Sequence, residues 1–219
     1  MRRRQGAPLP REPPHGESAN MRRRILLVRH CQSQANAEGR IEGKGDSPLS
    51  EAGLEQARAL ASAIAERRIA EARLIASSQT RAIATALAIA EACGWDAAEE
   101  DHRIREGELG WMEDLPYTEV GRHMAERQVR ELDADLHGGE SLEVVGQRFW
   151  EALSEALEAH DGVLVLVSHG YAIQALLRRL DPDVALPRFI GNGDVVELWL
   201  EEGALADAPT HHPLPGETP

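Results

Sequence analysis

The chain has 219 residues, 42% of them hydrophobic, so it is long enough for one sizeable core and too short for more than one or two small domains. Its 37 acidic and 24 basic residues give a formal net charge of −13, which disfavours binding to nucleic acid or to an anionic membrane surface. No apolar run approaches the roughly 20 residues that cross a bilayer. The two cysteines, Cys31 and Cys93, form no metal-binding or disulfide pattern, so we expect a reduced, cytoplasmic protein.

The first twenty residues contain four prolines and almost no aliphatic side chains, which predicts a disordered extension over 1–20. Met21 and the three arginines after it repeat the opening Met1-Arg2-Arg3-Arg4, so one hypothesis is that Met21 is the true start. The extension also holds His15-Gly16-Glu17-Ser18, which looks like the histidine motif described below. Pro13-Pro14 stand where a strand should precede that histidine, and we therefore reject it as a site.

The first predicted strand is Ile25 to Val28, and it runs directly into Arg29-His30. A loop rich in turn formers follows, from Gly39 to Pro48. Ser50 can cap the next helix. The side chains that we expect on the inner face of this helix lie at helical spacing: Leu54, Ala57, Ala61, Ile64 and Ala65.

A second short strand, Leu74 to Ser77, leads into a helix predicted from Gln79 to Ala92, with Gly94 as its stop. This helix is rich in alanine. Its core-facing residues are predicted to be Ile83, Leu87 and Ala90. The region from Asp101 to Gly139 contains several glycines and a proline, so we expect short helices and loops there.

The carboxyl-terminal half begins with a long amphipathic helix predicted from Glu140 to about His160. Its apolar residues recur at three- and four-residue steps: Leu142, Val145, Phe149, Leu153 and Leu157. Val163 to Val167 is an uninterrupted apolar strand, typical of a buried parallel strand, and it runs into Ser168-His169. A helix from Tyr171 to Arg179 and a strand from Asp194 to Leu200 complete the pattern, and a mobile tail is expected over 204–219.

The alternation of strands and helices predicts an α/β fold with three layers, doubly wound, with a mainly parallel sheet and helices on both faces. We expect residues 21–203 to form a single domain. Ligands of such sheets bind beyond the carboxyl ends of the strands. Three predicted strands end there in polar residues, at Arg29-His30, at Ser77 to Arg81 and at Ser168-His169.

These strand ends carry residue types suited to phosphate chemistry. Arg29 and Arg81 have planar guanidinium groups that fit phosphate oxygens, and Arg81 also lies at the start of a helix. Neighbouring cations keep a histidine neutral, as a nucleophile must be. The reaction also needs a proton donor, and position alone leaves Glu106, Glu108 and Glu113 open for that role.

Several segments occur in an order typical of one family: Arg29-His30-Cys31-Gln32-Ser33 with Asn36, Asp46 to Gly53, Ala76 to Ala82 with Thr85, Arg105-Glu106 with Gly110, Gly138 to Ser141, and Val167 to Gly170. They resemble the ordered motifs of the histidine phosphatase superfamily, which includes cofactor-dependent phosphoglycerate mutases and many small phosphatases. The resemblance spans roughly residues 24 to 200.

The resemblance implies a role for each matching residue. His30 would be the nucleophile that becomes phosphohistidine. Arg29, Arg81 and His169 would form the phosphate pocket, with Gln32 and Asn36 as further substrate-binding residues. Glu106 would donate a proton and then act as base toward water. The resemblance implies no metal and no other cofactor.

Two departures from the family pattern stand out. Cys31 occupies the position where glycine is usual, and it would be strained if the backbone there needs a positive φ. A thiol near a cationic pocket could also be oxidisable. Trp111-Met112-Glu113-Asp114 follows the family pattern only loosely, which weakens inferences about the substrate loop.

A phosphatase acting on a small phosphorylated metabolite is favoured, since no long basic insertion typical of the mutases separates Glu106 from His169. Two alternatives are kept: a cofactor-dependent phosphoglycerate mutase, and a non-catalytic phosphate-binding or interaction module. A metallohydrolase ranks lower because the histidines form no HxH or HxxxH pair. The substrate stays open among phosphosugars, phosphoglycerates and nucleotide-related phosphomonoesters, and a homodimer is compatible with the sequence.

Overall fold

The computed structural model describes residues 22–126, 138–185 and 190–214. The predicted disordered extension over 1–20 lies outside these residues, as does part of the region from Asp101 to Gly139 where short helices and loops are expected. No helix within the described ranges is both long and apolar enough to cross a membrane.

A central sheet of seven strands organises the described chain, in the order β3-β2-β4-β1-β5-β6, with β7 also pairing with β5. The four strands from β3 to β1 in this order are mutually parallel, whereas β5 runs antiparallel to β1. The mainly parallel sheet that the sequence predicts is therefore confirmed. The strand bounds are β1 Arg23–Arg29, β2 Ala72–Ala76, β3 Glu99–Glu100, β4 Val163–Ser168, β5 Val195–Glu201, β6 Ala204–Leu205 and β7 Thr210–His212.

Helices cover both faces of the sheet, as predicted. The larger helices form two layers. α2 and α3 pack together over one buried cluster, and α5 and α6 pack together over the other. Short 3₁₀ helices span His102–Ile104 and Gly110–Met112. The helix bounds are α1 Gln34–Ala37, α2 Glu51–Glu66, α3 Thr80–Cys93, α4 Tyr117–Glu126, α5 Leu142–Ala159 and α6 Gly170–Leu180.

The central strands β1 and β4 are buried on both faces. Ile25 and Leu27 contribute to the cluster under α5 and α6, and Leu26 and Val28 contribute to the cluster under α2 and α3. Successive side chains of a strand point to opposite faces, so a strand covered on both sides must be apolar throughout. This explains the uninterrupted apolar runs, and it brings the carboxyl ends of neighbouring parallel strands to one edge.

The inner faces of two helices differ in part from those predicted. In α2, Ala57, Ala61 and Ile64 are buried as predicted, whereas Leu54 is 47% exposed and Leu60 is buried. In α3, Ala90 is buried as predicted, whereas Leu87 is 53% exposed and Ile83 is only partly buried. The inner face of α3 instead carries mostly small side chains together with two polar residues near the sheet edge: Arg81, Ala82, Thr85, Ala86, Ile89 and Ala90. Small side chains let this helix pack closely against the sheet and α2.

Residues 204–214, which belong to the tail expected to be mobile, form strands and core contacts in the structure. β6 and β7 both pair with β5, and Leu214 is buried in the cluster under α2 and α3. The physical reason is that β5 would otherwise present unpaired backbone groups along one edge. The tail satisfies them through its backbone, which requires no apolar repeat in its sequence.

Candidate active site

The predicted site lies in a pocket at the carboxyl ends of β1, β2 and β4. Predicted site residues and residues not foreseen share its lining: Arg29, His30, Asn36, Ile41, Glu42, Gly43, Arg81, Glu106, Leu109, Tyr117, Gly170, Tyr171, Gln174 and Ile190. The pocket lining therefore combines buried cations and carboxylates with apolar and neutral polar side chains.

His30 follows the last residue of β1, and its amide still continues the β1–β4 pairing through the Ser168 carbonyl. The ring Nδ1 lies 2.7 Å from the Cys31 carbonyl, and Arg81 Nε donates to the ring Nε2 at 3.2 Å. This pattern assigns the proton to Nδ1 and leaves a lone pair on Nε2. Burial, followed by the Arg81 and Arg29 charges, holds the pKa of His30 well below its ordinary value, so the ring is neutral near pH 7.

His169 follows β4 and begins α6, and it is fully buried next to His30. The two ring centroids lie 5.0 Å apart, so the fold brings both predicted histidines together. His169 Nε2 pairs with the Ser77 hydroxyl at 2.8 Å, and no described residue pairs with its Nδ1. Burial and then the Arg81 charge lower the pKa of His169 well below the usual value. His169 does not line the pocket surface.

Arg29 and Arg81 are both buried, and burial lowers the pKa of each guanidinium from its usual very high value. Both groups still carry their positive charge at any physiological pH. Arg29 donates to the Ile190 carbonyl. Arg81 donates to the carbonyls of Gly45 at 2.7 Å and Gly43 at 3.1 Å, so the glycine-rich loop wraps around this side chain.

Of the three candidate acids, Glu106 is the one that the structure places in the pocket. Its Oε1 accepts hydrogen bonds from the amides of Gly107 and Ala172 at 3.0 Å, and its Oε2 accepts from Tyr171 at 3.3 Å. Burial raises the pKa of Glu106, against the opposing effects of these amides and the two arginines. A carboxyl group with a raised pKa is suited to hold and deliver a proton.

The other two candidate acids lie outside the pocket lining. Glu108 is half-exposed and lies 3.9 Å from Arg105. Glu113 accepts from the amides of Leu109 at 2.9 Å and Lys44 at 3.3 Å. Of the three positions that the residues alone leave open, geometry therefore favours Glu106.

The two further binding residues separate in the structure. Asn36 lines the pocket, where its Nδ2 donates to the Tyr117 hydroxyl at 3.1 Å and its Oδ1 accepts from Asn192 at 2.9 Å. Gln32 does not line the pocket. Its Oε1 accepts from the Ser50 hydroxyl at 2.7 Å, which places the side chain at the beginning of α2.

Sequence reasoning missed two buried residues that hold this site together. Gln79 donates to the Gly43 and Gly45 carbonyls, and its Oε1 accepts from the amide of Glu106 at 2.8 Å, so it ties the acid to the loop. Glu42 lies 3.2 Å from Arg81. An acidic residue inside a glycine-rich loop was the only signal for Glu42, and Gln79 carried no signal beyond following a strand.

Cys31 is accommodated without backbone strain. It is fully buried and is absent from the non-glycine residues with positive φ. Its amide donates to the Thr85 hydroxyl at 3.1 Å, and its side chain belongs to the same cluster as Leu49 and Leu214. A thiol buried in this way is poorly placed to react with oxidants.

Comparison with known proteins identifies the family of this chain. The model of the histidine phosphatase superfamily (branch 1) matches residues 25–205. A Yersinia pestis protein named probable phosphoglycerate mutase GpmB is 36% identical over 161 residues, which cover 71% of this chain and 74% of that protein. The protein of the same name from Salmonella paratyphi C is 36% identical over 159 residues, covering 70% and 72%.

Solved structures give the same picture. A mycobacterial glucosyl-3-phosphoglycerate phosphatase in complex with VO3 matches with a TM-score of 0.69 and 29% identity, over 82% of this chain and 97% of that chain. A phosphoglycerate mutase from Bacillus anthracis matches with a TM-score of 0.72 over 87% and 93%, and at 22% identity this likeness bears on the fold alone. The relatives thus carry both mutase and phosphatase names.

Proposed function

The chain belongs to the histidine phosphatase superfamily, and we propose that it is a metal-independent phosphomonoesterase that acts on a small phosphorylated metabolite through a phosphohistidine on His30. The observation that carries the proposal is the state of His30. Its Nε2 lone pair faces Arg81, and its proton is held on Nδ1 by the Cys31 carbonyl. A neutral imidazole beside two buried cations is equipped to attack a phosphoryl group.

In the first step His30 Nε2 forms a bond to phosphorus while the bond from phosphorus to the leaving oxygen breaks. Arg81 Nε, which donates to Nε2 in the free site, can then donate to a phosphoryl oxygen. Arg29 supplies the second positive charge for the transferring group. Glu106 gives its proton to the leaving oxygen and becomes a carboxylate.

In the second step water attacks the phosphohistidine. The Glu106 carboxylate takes a proton from that water as the bond between phosphorus and nitrogen breaks. Inorganic phosphate leaves, and His30 and Glu106 return to their starting states. The raised pKa of Glu106 serves both steps, because the group must first hold a proton and later accept one.

A phosphoglycerate mutase is the second candidate, and the names of the curated relatives favour it. The pocket wall argues for a phosphatase. Arg29 and Arg81 are the only cations among the described lining residues, and both belong to the phosphate side. A phosphoglycerate also carries a carboxylate, which needs a further donor or cation. Apart from the acidic Glu42 and Glu106, the other lining residues are apolar or neutral, including Ile41, Leu109, Tyr117, Tyr171, Gln174 and Ile190.

The test is hydrolysis of a panel of phosphomonoesters in the presence of EDTA. We expect wild-type turnover, loss of turnover in His30→Ala, and unchanged turnover in the control His102→Ala, whose side chain is exposed outside the pocket. Turnover that survives in His30→Ala would contradict the proposal. Efficient mutase turnover primed by a bisphosphoglycerate, with negligible hydrolysis, would assign the mutase function. Phosphate binding without turnover would assign the non-catalytic module.

A further inference from the structure

The pocket contains a second carboxylate, Glu42, which the proposed reaction does not use. Glu42 belongs to the glycine-rich loop after α1 and is only 7% exposed. It lines the same pocket as His30, Arg81 and Glu106. A carboxylate in a site built for phosphate places a charge of the same sign next to the ligand, and such an arrangement weakens the binding of that ligand.

Donors surround the Glu42 side chain. Its Oε2 accepts from the Ser33 hydroxyl at 2.7 Å, and its Oε1 accepts from the Ser47 amide and lies 3.2 Å from Arg81 Nη1. Surroundings made only of donors suit a carboxylate rather than a carboxylic acid. The side chain is therefore held in place as a partner of Arg81.

Arg81 is already heavily engaged before any ligand binds. Nη1 donates to the Gly45 carbonyl, Nη2 to the Gly43 carbonyl and Nε to His30. Glu42 balances part of its charge. A phosphate dianion at this site must share the Arg81 guanidinium with the fixed negative charge of Glu42.

We propose that Glu42 competes with bound phosphate for Arg81 and thereby limits the affinity of the pocket for inorganic phosphate. This inference rests on the proposed function only in taking the pocket as a phosphate site. The consequence for a phosphatase is that the product, which carries the same group as the substrate, leaves readily. Glu42 is thus a residue that sets phosphate affinity, and it has no part in the bond-making steps.

The test is direct titration of the purified protein with inorganic phosphate by calorimetry at neutral pH. Glu42→Gln removes the charge and keeps the shape, because the amide oxygen can still accept from Ser47 and the amide nitrogen can donate to the Ser33 oxygen. A neighbouring charge of the same sign within about 4–6 Å changes such an equilibrium by about tenfold or more. We therefore expect Glu42→Gln to lower the Kd for inorganic phosphate by about tenfold. In turnover assays, inhibition by added phosphate should become stronger by a similar factor.

Glu113→Gln is the matched control. Glu113 packs against Gly43, where a Cβ would come within 2.6 Å of its Oε1, and it is not part of the pocket lining. This control removes the same charge from the same neighbourhood, and we expect the Kd for phosphate to stay unchanged. Glu42→Ala serves as a second variant, which removes the charge together with the hydrogen-bonding groups of the side chain.

Tighter phosphate binding in both Glu42 variants, with wild-type affinity in Glu113→Gln, would support the inference. Unchanged or weaker binding in a folded Glu42→Gln protein would overturn it, as would equal tightening in Glu113→Gln, which would point to net charge alone. The titration needs no turnover. A wild type that binds phosphate and hydrolyses nothing would therefore remove the proposed function and leave the role of Glu42 standing.

Discussion

Replacement of Glu106 by glutamine separates its role as acid from its role as base. The structure indicates that the variant should fold. A glutamine oxygen in the place of Oε1 keeps the two 3.0 Å hydrogen bonds from Gly107 and Ala172 and gives up only the 3.3 Å bond from Tyr171. One net hydrogen bond is worth about 1 kcal/mol. For a chain of this length that corresponds to a decrease in Tm of roughly 2–4 °C.

The expected loss of activity is much larger and depends on the leaving group. General acid catalysis contributes about 10²–10⁴-fold, equivalent to roughly 3–5 kcal/mol of barrier. An alkyl phosphate, which releases a strongly basic alkoxide, should show this full loss in the first step. p-Nitrophenyl phosphate releases a stable phenolate, so its first step should survive. The second step still lacks its base, and phosphohistidine should accumulate.

Rapid-quench kinetics measure both effects. With p-nitrophenyl phosphate, Glu106→Gln should release a burst of nitrophenolate equivalent to the enzyme sites, followed by slow turnover, with an acid-labile phosphoryl group on His30. Glu108→Gln is the control, because Glu108 lies outside the pocket lining, and it should behave as wild type. Equal losses on both substrates without a burst, or an equal defect in Glu108→Gln, would refute the assignment of Glu106.

Three further outcomes follow from the same geometry. The pKa of Glu106 is raised, and the pKa values of both histidines are well below the usual value. We therefore expect kcat/KM for alkyl phosphates to fall as pH rises through the pKa of Glu106, because the group loses its proton. A pH–rate profile of Glu106→Gln should not show this fall. Because the Cys31 thiol is buried, brief peroxide treatment should leave activity intact, and thermal melting of Cys31→Ala should show a loss of about 1 kcal/mol. Asp194→Ala should cost about 2 kcal/mol and lower kcat, because Asp194 accepts from Gly191, His211 and Leu214 beside the Arg29–His30 backbone. Wild-type stability and turnover in Asp194→Ala would contradict this.

The strands that carry the site could be predicted from the sequence because strands buried on both faces consist of apolar residues. Ile25 to Val28 and Val163 to Val167 are covered on both faces, which leaves room for apolar residues only. Alternation with helices then implies parallel strands whose carboxyl ends share an edge. The 5.0 Å separation of the His30 and His169 rings follows from the pairing of β1 with β4.

The orientation of α3 could not be read in the same way. Helical spacing groups Ile83 with Leu87 and equally groups Arg81 with Thr85, and hydrophobicity alone selects the first pair. The structure turns the second pair inward, because Arg81 reaches His30 and Thr85 accepts from the Cys31 amide. Contacts of these two polar side chains with the site thus decide which face of α3 is buried, rather than the hydrophobicity of the helix. Glu42 and Gln79 escaped prediction for a related reason, since their roles depend on contacts between distant segments.

The packing of Cys31 and the pairing of the carboxyl-terminal segment were not predicted from the sequence, and the structure links the two. Gly193 lies between the two, where a Cβ would come within 3.1 Å of Leu214 and 3.5 Å of the Cys31 sulfur. Gly193 has a positive φ of 78°, a conformation that favours glycine. Cys31 and Leu214 belong to the same buried cluster, and Asp194 holds Leu214 in place by accepting from its amide. The unusual residue beside the nucleophile and the ordered tail are thus parts of one packing arrangement, which a reading of either segment alone could not reveal.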